Sequence, residues 1–144
     1  MVRECQESDL VDIYKLLKEF HNETLKDFGV KYDDGMVRQA FYELYSNALV
    51  LVKNNEVVGV IAGKIIDYPL QKAQIFQEMI WYVRKDYRKY GIKLLRAMEA
   101  RCLKQGLSAM VMVHLSNSMS DKLDKFYTRC GYMKMETHYI RSLK

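Results

Sequence analysis

The stretch "AQIFQEMIWYVRKDYRKYGIKLL", residues 73–95, joins three kinds of sequence in direct succession. Its first part, from Ala73 to Val83, is rich in aromatic and branched side chains, as is typical of a central β-strand. A basic loop follows, and beyond Gly91 apolar residues recur at helical spacing as far as Cys102. This order of strand, basic loop and helix decides which fold the remainder of the chain must complete.

The sequence before this stretch predicts a strand, two helices and a β-hairpin. Helix boundaries follow from capping residues and from apolar spacing. The pair Asn54–Asn55 tolerates the positive φ angles of a tight turn between two β-branched runs. The predicted elements are a strand at 2–5, a helix from Asp9 to His21 capped by Ser8, a helix capped by Asp33 or Asp34 that ends near Asn47, and a hairpin over 48–66.

The sequence after this stretch predicts a buried strand over 108–115, a helix from Ser120 to Arg129 that stops before Gly131, and a last strand over 132–143. The element order is therefore β-α-α-β-β-β-α-β-α-β. An antiparallel meander joined to a strand–helix–strand crossover predicts an α+β domain with a mixed, mostly antiparallel sheet and helices on both faces.

Composition predicts a single folded domain over residues 1–144. About half of the 144 residues are hydrophobic and only one is proline, which excludes a disordered or low-complexity chain. The net charge of +5 suits nucleic acid, an anionic cofactor or solubility alone. The three cysteines lack the CxxC spacing of a metal site and predict reduced thiols, and with no membrane-spanning run we expect a cytoplasmic protein.

The basic loop predicts an anion site at the start of the following helix. Between Arg84 and Arg96 six side chains are basic and only Asp86 is acidic. A helix N-terminus already carries partial positive charge, so added cations destabilise it unless an anion lies there. Gly91 lets a phosphate or pyrophosphate approach the backbone N–H groups. The alternative is a solvated basic face with a glycine at the helix start.

Two motifs make the chain resemble the GCN5-related N-acetyltransferases. In "VRKDYRKYGIK", Val83, Tyr87, Arg88 and Gly91 fall in register with the pyrophosphate loop of that family. Downstream, "FYTRCGY" places Phe126–Tyr127 before Gly131–Tyr132, as the family often does. The resemblance spans essentially the whole chain and implies the fold of that family and the use of acetyl-coenzyme A (acetyl-CoA).

The resemblance also implies which residues hold this cofactor. The backbone amides from Arg88 to Lys93 would bind the pyrophosphate, and the strand edge near Tyr82 and Val83 would bind the pantetheine arm. Lys93 stands where the family has glycine or alanine, so its side chain either crowds the phosphates or adds a cation. The full set of expected cofactor-binding residues is Tyr82, Val83, Arg84, Arg88, Lys89, Tyr90, Gly91, Ile92, Lys93 and Asn117.

For the chemistry, the resemblance implies Tyr127 as the general acid and Glu78 as a candidate general base. A tyrosine stays protonated at neutral pH and can donate to a departing thiolate. Glu78 is the one acid in an apolar strand, so it either has a raised pKa or lies on a wet face of the sheet. Tyr127 is alternatively a core aromatic. His114 is a less favoured catalytic candidate.

The implied acceptor is a small-molecule or protein amine bound by the first two helices and their connection. Glu23, Asp27, Asp33 and Asp34 form an acidic cluster there that would attract a cationic amine, or would serve capping and solubility. A homodimer is left open.

Two other functions compete with acetyl transfer. One is a non-catalytic module of the same fold that binds coenzyme A or a protein partner. The other, a nucleic-acid binder, is disfavoured because the aromatic residues lie in core strands rather than alternating with lysines on an exposed face.

Overall fold

The computed structural model describes residues 1–68, 72–116 and 119–143, which form one five-stranded sheet and four helices. The elements are β1 (Val2–Glu4), α1 (Leu10–Glu23), α2 (Asp34–Leu44), β2 (Ala48–Lys53), β3 (Glu56–Asp67), β4 (Gln74–Val83), α3 (Gly91–Lys104), β5 (Ala109–Val111) and α4 (Ser120–Arg129). Short 3₁₀ turns join several of them, and the strands lie in the order β1-β2-β3-β4-β5.

The predicted turns and caps form largely as expected. Asn54 and Asn55 adopt φ angles of 52° and 61°, which closes the β2–β3 hairpin. Asp33 caps α2 by accepting a hydrogen bond from the backbone N–H of Met36. The prediction that Ser8 caps α1 is wrong, because Ser8 lies inside a short 3₁₀ turn, Glu7–Asp9, that precedes the helix. The polar contacts of this turn come from Asp9, which accepts a hydrogen bond from the N–H of Gln6 and pairs with Arg3.

Helices cover both faces of the sheet, and each face has its own apolar core. On one face α1 and α2 pack on the sheet through buried residues that include Ile13, Leu16 and Phe41. On the other face α3 contributes Leu94, Leu95 and Met98, and Phe126 of α4 packs against them. The predicted α+β class with a mixed, mostly antiparallel sheet is therefore confirmed.

Strand β4 loses its neighbour halfway along its length. It runs antiparallel to β3 throughout, but its parallel pairing with β5 covers only three residue pairs and ends at Gln77 and Val111. Beyond Gln77, no strand in the described part of the chain pairs with this edge of β4. The two strands therefore part about halfway along β4, at one end of the described sheet.

A β-bulge lies where the strands part. Ala62 pairs with Ile80 but Gly63 pairs with Glu78, so Met79 is an extra residue with no counterpart in β3. Side chains alternate between the faces of a strand, and an extra residue resets that alternation. Phe76 before the bulge belongs to the α3 core, whereas Ile80 and Tyr82 after it belong to the α1 core.

The last predicted strand is absent from the described residues. The segment 132–143 has the alternating apolar pattern of a strand, but it pairs with no other strand there. Met133, Tyr139 and Leu143 are almost fully exposed. The alternating pattern is present, but a strand also requires backbone pairing, and the described part of this segment does not pair with the free edge of β5. Strand β5 is likewise shorter than predicted.

All three cysteines are free thiols, as the sequence predicted. None of the described helices combines the length and apolar character that crossing a membrane requires.

We predict that Gly63→Ala destabilises the fold strongly. A Cβ at Gly63 would lie 2.6 Å from the Phe76 ring and would also come far closer to the Gln77 carbonyl oxygen than van der Waals contact allows. We expect a loss of about 3 kcal/mol in the free energy of unfolding, measured by urea denaturation. The matched control is Gly91→Ala, whose Cβ would meet Trp81 and Val83 at an ordinary 3.7 Å. Equal stability of the two variants would contradict the close approach at Gly63.

Candidate functional site

The site begins at the unpaired edge of β4. The N–H of Arg84 donates to the carbonyl of Val58 in β3. Because residues of a strand direct their backbone groups alternately to either side, Trp81 and Val83 point theirs away from β3. The Val83 carbonyl accepts a hydrogen bond from Nε of Arg88 at 3.0 Å. The backbone groups of Trp81 and the Val83 N–H therefore face the gap between β4 and β5.

Tyr82 plays a different part from the one expected. Its backbone is directed to β3, where it pairs with Val60. Its hydroxyl donates to Glu23 of α1 at 2.7 Å. Burial and the neighbouring carboxylates raise the pKa of this hydroxyl. Trp81, rather than Tyr82, presents its backbone at the open edge.

Glu78 is buried on the α3 face of β4, immediately before the bulge. Only 5% of the residue is exposed, which removes the alternative of a wet sheet face. Burial raises the pKa of its carboxyl group to about 8, and the backbone N–H of Val113 partly offsets that rise. Oxygen Oε2 has no hydrogen-bond partner among the described residues. A buried carboxyl group with a spare oxygen is poised to accept a proton near neutral pH.

Tyr127 of α4 lies across the gap from β4. Its hydroxyl donates to the carbonyl of Val113 at 3.2 Å, so Glu78 and Tyr127 both interact with the backbone of this one residue. Burial, and secondarily the charge of Glu78, raises the pKa of Tyr127. The hydroxyl therefore keeps its proton at neutral pH. Its burial also fits the alternative of a core aromatic.

Two further polar groups lie against Tyr127. The ring centre of Trp81 lies 5.9 Å from that of Tyr127, and the His114 ring stacks on the tyrosine at 6.4 Å. Trp81 Nε1 and His114 Nδ1 are buried, and neither has a partner in the part of the chain that the structure describes. With Glu78 Oε2, three unsatisfied polar atoms thus belong to residues grouped around one tyrosine. Native interiors leave few such atoms unpaired, so this group indicates a bound molecule or water.

The basic loop is partly neutralised from within the protein. Residues Lys85–Tyr90 form a 3₁₀ turn that leads directly into α3, and the Gly91 N–H bonds the Arg88 carbonyl. Arg84 forms ion pairs with Glu19 of α1 and with Glu56. Arg88 pairs with Glu23 at 2.6 Å. The two arginines therefore hold the loop against α1. These glutamates supply part of the negative charge that the sequence predicts near the start of α3.

The lysines of the loop remain without ion pairs in the described structure. Lys89 and Lys93 both approach the ring of Tyr90, at 5.1 and 5.2 Å, and Lys53 joins them at 3.9 Å. Lys93 is exposed and lies beside this ring. These ammonium groups supply the positive charge that an external phosphate would meet.

The acidic cluster expected at the acceptor site does not form as a unit. Glu23 pairs with Arg88, Asp33 caps α2, and Asp34 pairs with Arg38. The expected cofactor residue Asn117 lies outside the described residues. Among those described, no three His, Cys, Asp or Glu side chains are placed to hold a metal ion.

Sequence reasoning missed Trp81 and the role of Glu19. Trp81 is the one tryptophan of the chain and follows Glu78 by three residues, which was the only signal available. Glu19 is 65 residues from Arg84, and no local pattern connects them.

Comparison with known proteins identifies the family. A sequence model described as the Acetyltransferase (GNAT) family matches residues 10–132. No curated protein matches the chain. A tetramutant of the BH1408 protein from Bacillus halodurans has a similar structure, with a TM-score of 0.79 at 16% identity over 99% of each chain.

Two similar structures belong to enzymes with stated acceptors. An aminoglycoside acetyltransferase from an uncultured soil metagenomic sample has a TM-score of 0.73 at 17% identity, over 100% of this chain and 96% of its own. Glucosamine-6-phosphate N-acetyltransferase from Arabidopsis thaliana has a TM-score of 0.73 at 16% identity, over 100% of this chain and 98% of its own. At such identity these likenesses show the fold, and the family assignment rests on the sequence match. The chain is a member of the GNAT acetyltransferase family.

Proposed function

We propose that this protein transfers an acetyl group from acetyl-CoA to a primary amine, by direct attack within a ternary complex. The observation that carries the proposal is the group of unsatisfied buried atoms around Tyr127, at the point where β4 and β5 part. When bound, acetyl-CoA supplies an activated thioester whose sulfur departs with the electron pair of the broken bond. The residues of the chain must bind that ligand, orient the amine and move two protons.

The described residues fit such a cofactor. The open edge at Trp81 and Val83 offers backbone groups to an amide-rich arm, and the exposed lysines of the loop offer charge to phosphates. Gly91 has a φ of −57°, and a Cβ there would point toward Trp81 and Val83 at ordinary contact distance. Neither the backbone conformation nor the space around position 91 therefore requires a glycine there.

Glu78 and Tyr127 divide the proton transfers between them. Glu78 accepts the proton of the attacking amine nitrogen, and a base whose pKa is near 8 suits that task at neutral pH. Tyr127 donates its hydroxyl proton to the departing sulfur. The charge of Glu78 raises the pKa of Tyr127, so the tyrosine gives up its proton more readily once Glu78 has accepted one.

The alternative is a non-catalytic module of the same fold that binds coenzyme A or a protein partner. The internal pairing of Arg84 and Arg88 makes these cations less available to phosphates, which favours the form of this module that binds a protein partner. Binding and turnover must therefore be measured separately.

We predict that Lys89→Glu weakens acetyl-CoA binding about tenfold, because it reverses a charge beside the proposed phosphate site. Isothermal titration calorimetry at low and high salt measures the effect, which should shrink as salt rises. Lys15→Glu, an equal charge change at an exposed position of α1, is the control and should bind like the parent. If the parent fails to bind acetyl-CoA at millimolar concentration, the cofactor assignment must be abandoned.

We predict that Tyr127→Phe lowers kcat by roughly a hundredfold while leaving the Kd for acetyl-CoA nearly unchanged. Turnover is measured by mass spectrometry of acetylated product from a panel of amines. Tyr132→Phe, which alters a neighbouring half-buried ring 5.5 Å away, should retain parental turnover. Binding of acetyl-CoA by the parent without acetylation of any amine would favour the non-catalytic module.

We predict that Glu78→Gln lowers kcat by roughly a hundredfold and also changes how stability depends on pH. Folding raises the pKa of Glu78 from 4.5 to about 8, so the native state holds a proton that the unfolded chain releases. The parent therefore loses stability relative to Glu78→Gln as pH rises from about 4.5 to about 8, by a few kcal/mol. Urea denaturation across this range measures the difference. A constant difference between the two proteins would show that Glu78 titrates normally.

A further inference from the structure

An open apolar pocket of about 280 Å³ lies between α1, α2 and the bulge of β4. Aliphatic and aromatic side chains form most of its wall. Among the described residues that line it, Lys31 is the one with a full charge and no carboxylate is present. Its apolar walls include Leu17, Phe20, Val37, Phe41 and Ile80.

The pocket and the proposed base Glu78 lie at the same level of β4 but on opposite faces of the sheet. Glu78 and Met79 are consecutive in the chain, yet Glu78 is buried on the α3 face while Met79 lines the pocket on the other. Met79 is 51% exposed, which is unusual for an apolar residue in a central strand. The route from this pocket to Glu78 therefore runs around the edge of β4, which no strand in the described part of the chain pairs beyond Gln77.

One wall of the pocket carries an unsatisfied hydrogen-bonding atom. His21 is 9% exposed, and its Nε2 lies 2.6 Å from the carbonyl of Val30. Since a carbonyl can only accept, Nε2 carries the proton, and in the neutral ring Nδ1 has a lone pair. Nδ1 is buried and has no partner among the described residues. It can accept a hydrogen bond from an N–H or O–H group in the pocket.

We propose that this pocket binds the body of the acceptor, and that the acceptor is a compact primary amine on an apolar, aromatic or branched framework that donates one hydrogen bond to His21 Nδ1. The inference rests on the proposed acetyl transfer and names its substrate class. A polycationic amine would lose its hydration here without gaining a carboxylate partner. An apolar wall also lowers the pKa of an amine, which supplies the neutral nucleophile that attack requires.

The test compares three amines in the presence of coenzyme A: tyramine, 2-phenylethylamine and spermidine. Tyramine and 2-phenylethylamine differ by a single hydroxyl donor. Calorimetry should show tyramine binding about fivefold more tightly than 2-phenylethylamine and at least tenfold more tightly than spermidine. Tighter binding of spermidine than of either aromatic amine would overturn the proposal.

Two variants locate the binding. Met79→Lys places a positive charge in the pocket and should weaken the binding of tyramine at least tenfold. Met36→Lys makes the same change at a 62% exposed position of α2 that does not line the pocket, and should bind within twofold of the parent. Equal tyramine affinity in the two variants would show that the amine binds elsewhere.

A third variant tests the hydrogen bond to His21. In His21→Gln the side-chain N–H can still donate to the carbonyl of Val30, but the amide oxygen does not occupy the position of His21 Nδ1. Tyramine and 2-phenylethylamine should then bind equally, and a preserved preference for tyramine would contradict the role of Nδ1.

Turnover separates this inference from the proposed function. Efficient acetylation of spermidine but not of tyramine would support acetyl transfer and refute the apolar acceptor. Binding of tyramine that Met79→Lys abolishes, with no acetylation of any amine, would support the pocket and refute acetyl transfer.

Discussion

Strand β4 contains one residue more than β3 can pair, and it absorbs that residue as a bulge opposite Gly63. The side-chain alternation of the strand changes there, so Glu78 and Met79 serve opposite faces of the sheet. The bulge also coincides with the end of the pairing between β4 and β5 at Gln77. At this one level of β4 a carboxyl group is buried, a methionine is exposed, and the backbone groups of Trp81 are paired with no strand among the described residues.

The cations of the basic loop fall into two groups, the arginines that are paired within the protein and the lysines that are not paired in the described structure. Glu19 and Glu23 of α1 neutralise Arg84 and Arg88, which holds the basic loop against the rest of the domain. The loop lysines form no ion pair in the described structure, and we propose that they meet the phosphates of the cofactor. The loop is therefore both a structural connection to α1 and a candidate ligand surface.

Much of the fold follows from local sequence, whereas the site depends on distant contacts. The hairpin at Asn54, the order of the elements and the class of sheet follow from periodicity and turn chemistry. The face of Glu78 could not be predicted, because strand parity fails across a bulge that depends on pairing with β3. The pairing of Arg84 with Glu19 also escaped prediction, because 65 residues separate them. The segment 132–143 has the pattern of a strand, but it pairs with no strand in the part of the chain that the structure describes.

We propose that the open edge of β4, where Trp81 and Val83 present backbone groups, receives the cofactor. The most direct test is an NMR titration of the ¹⁵N-labelled protein with acetyl-CoA. We expect the largest shifts at the backbone N–H groups of Trp81 and Val83 and at the indole N–H of Trp81. Saturable binding that leaves these three signals unchanged would contradict this position of the cofactor.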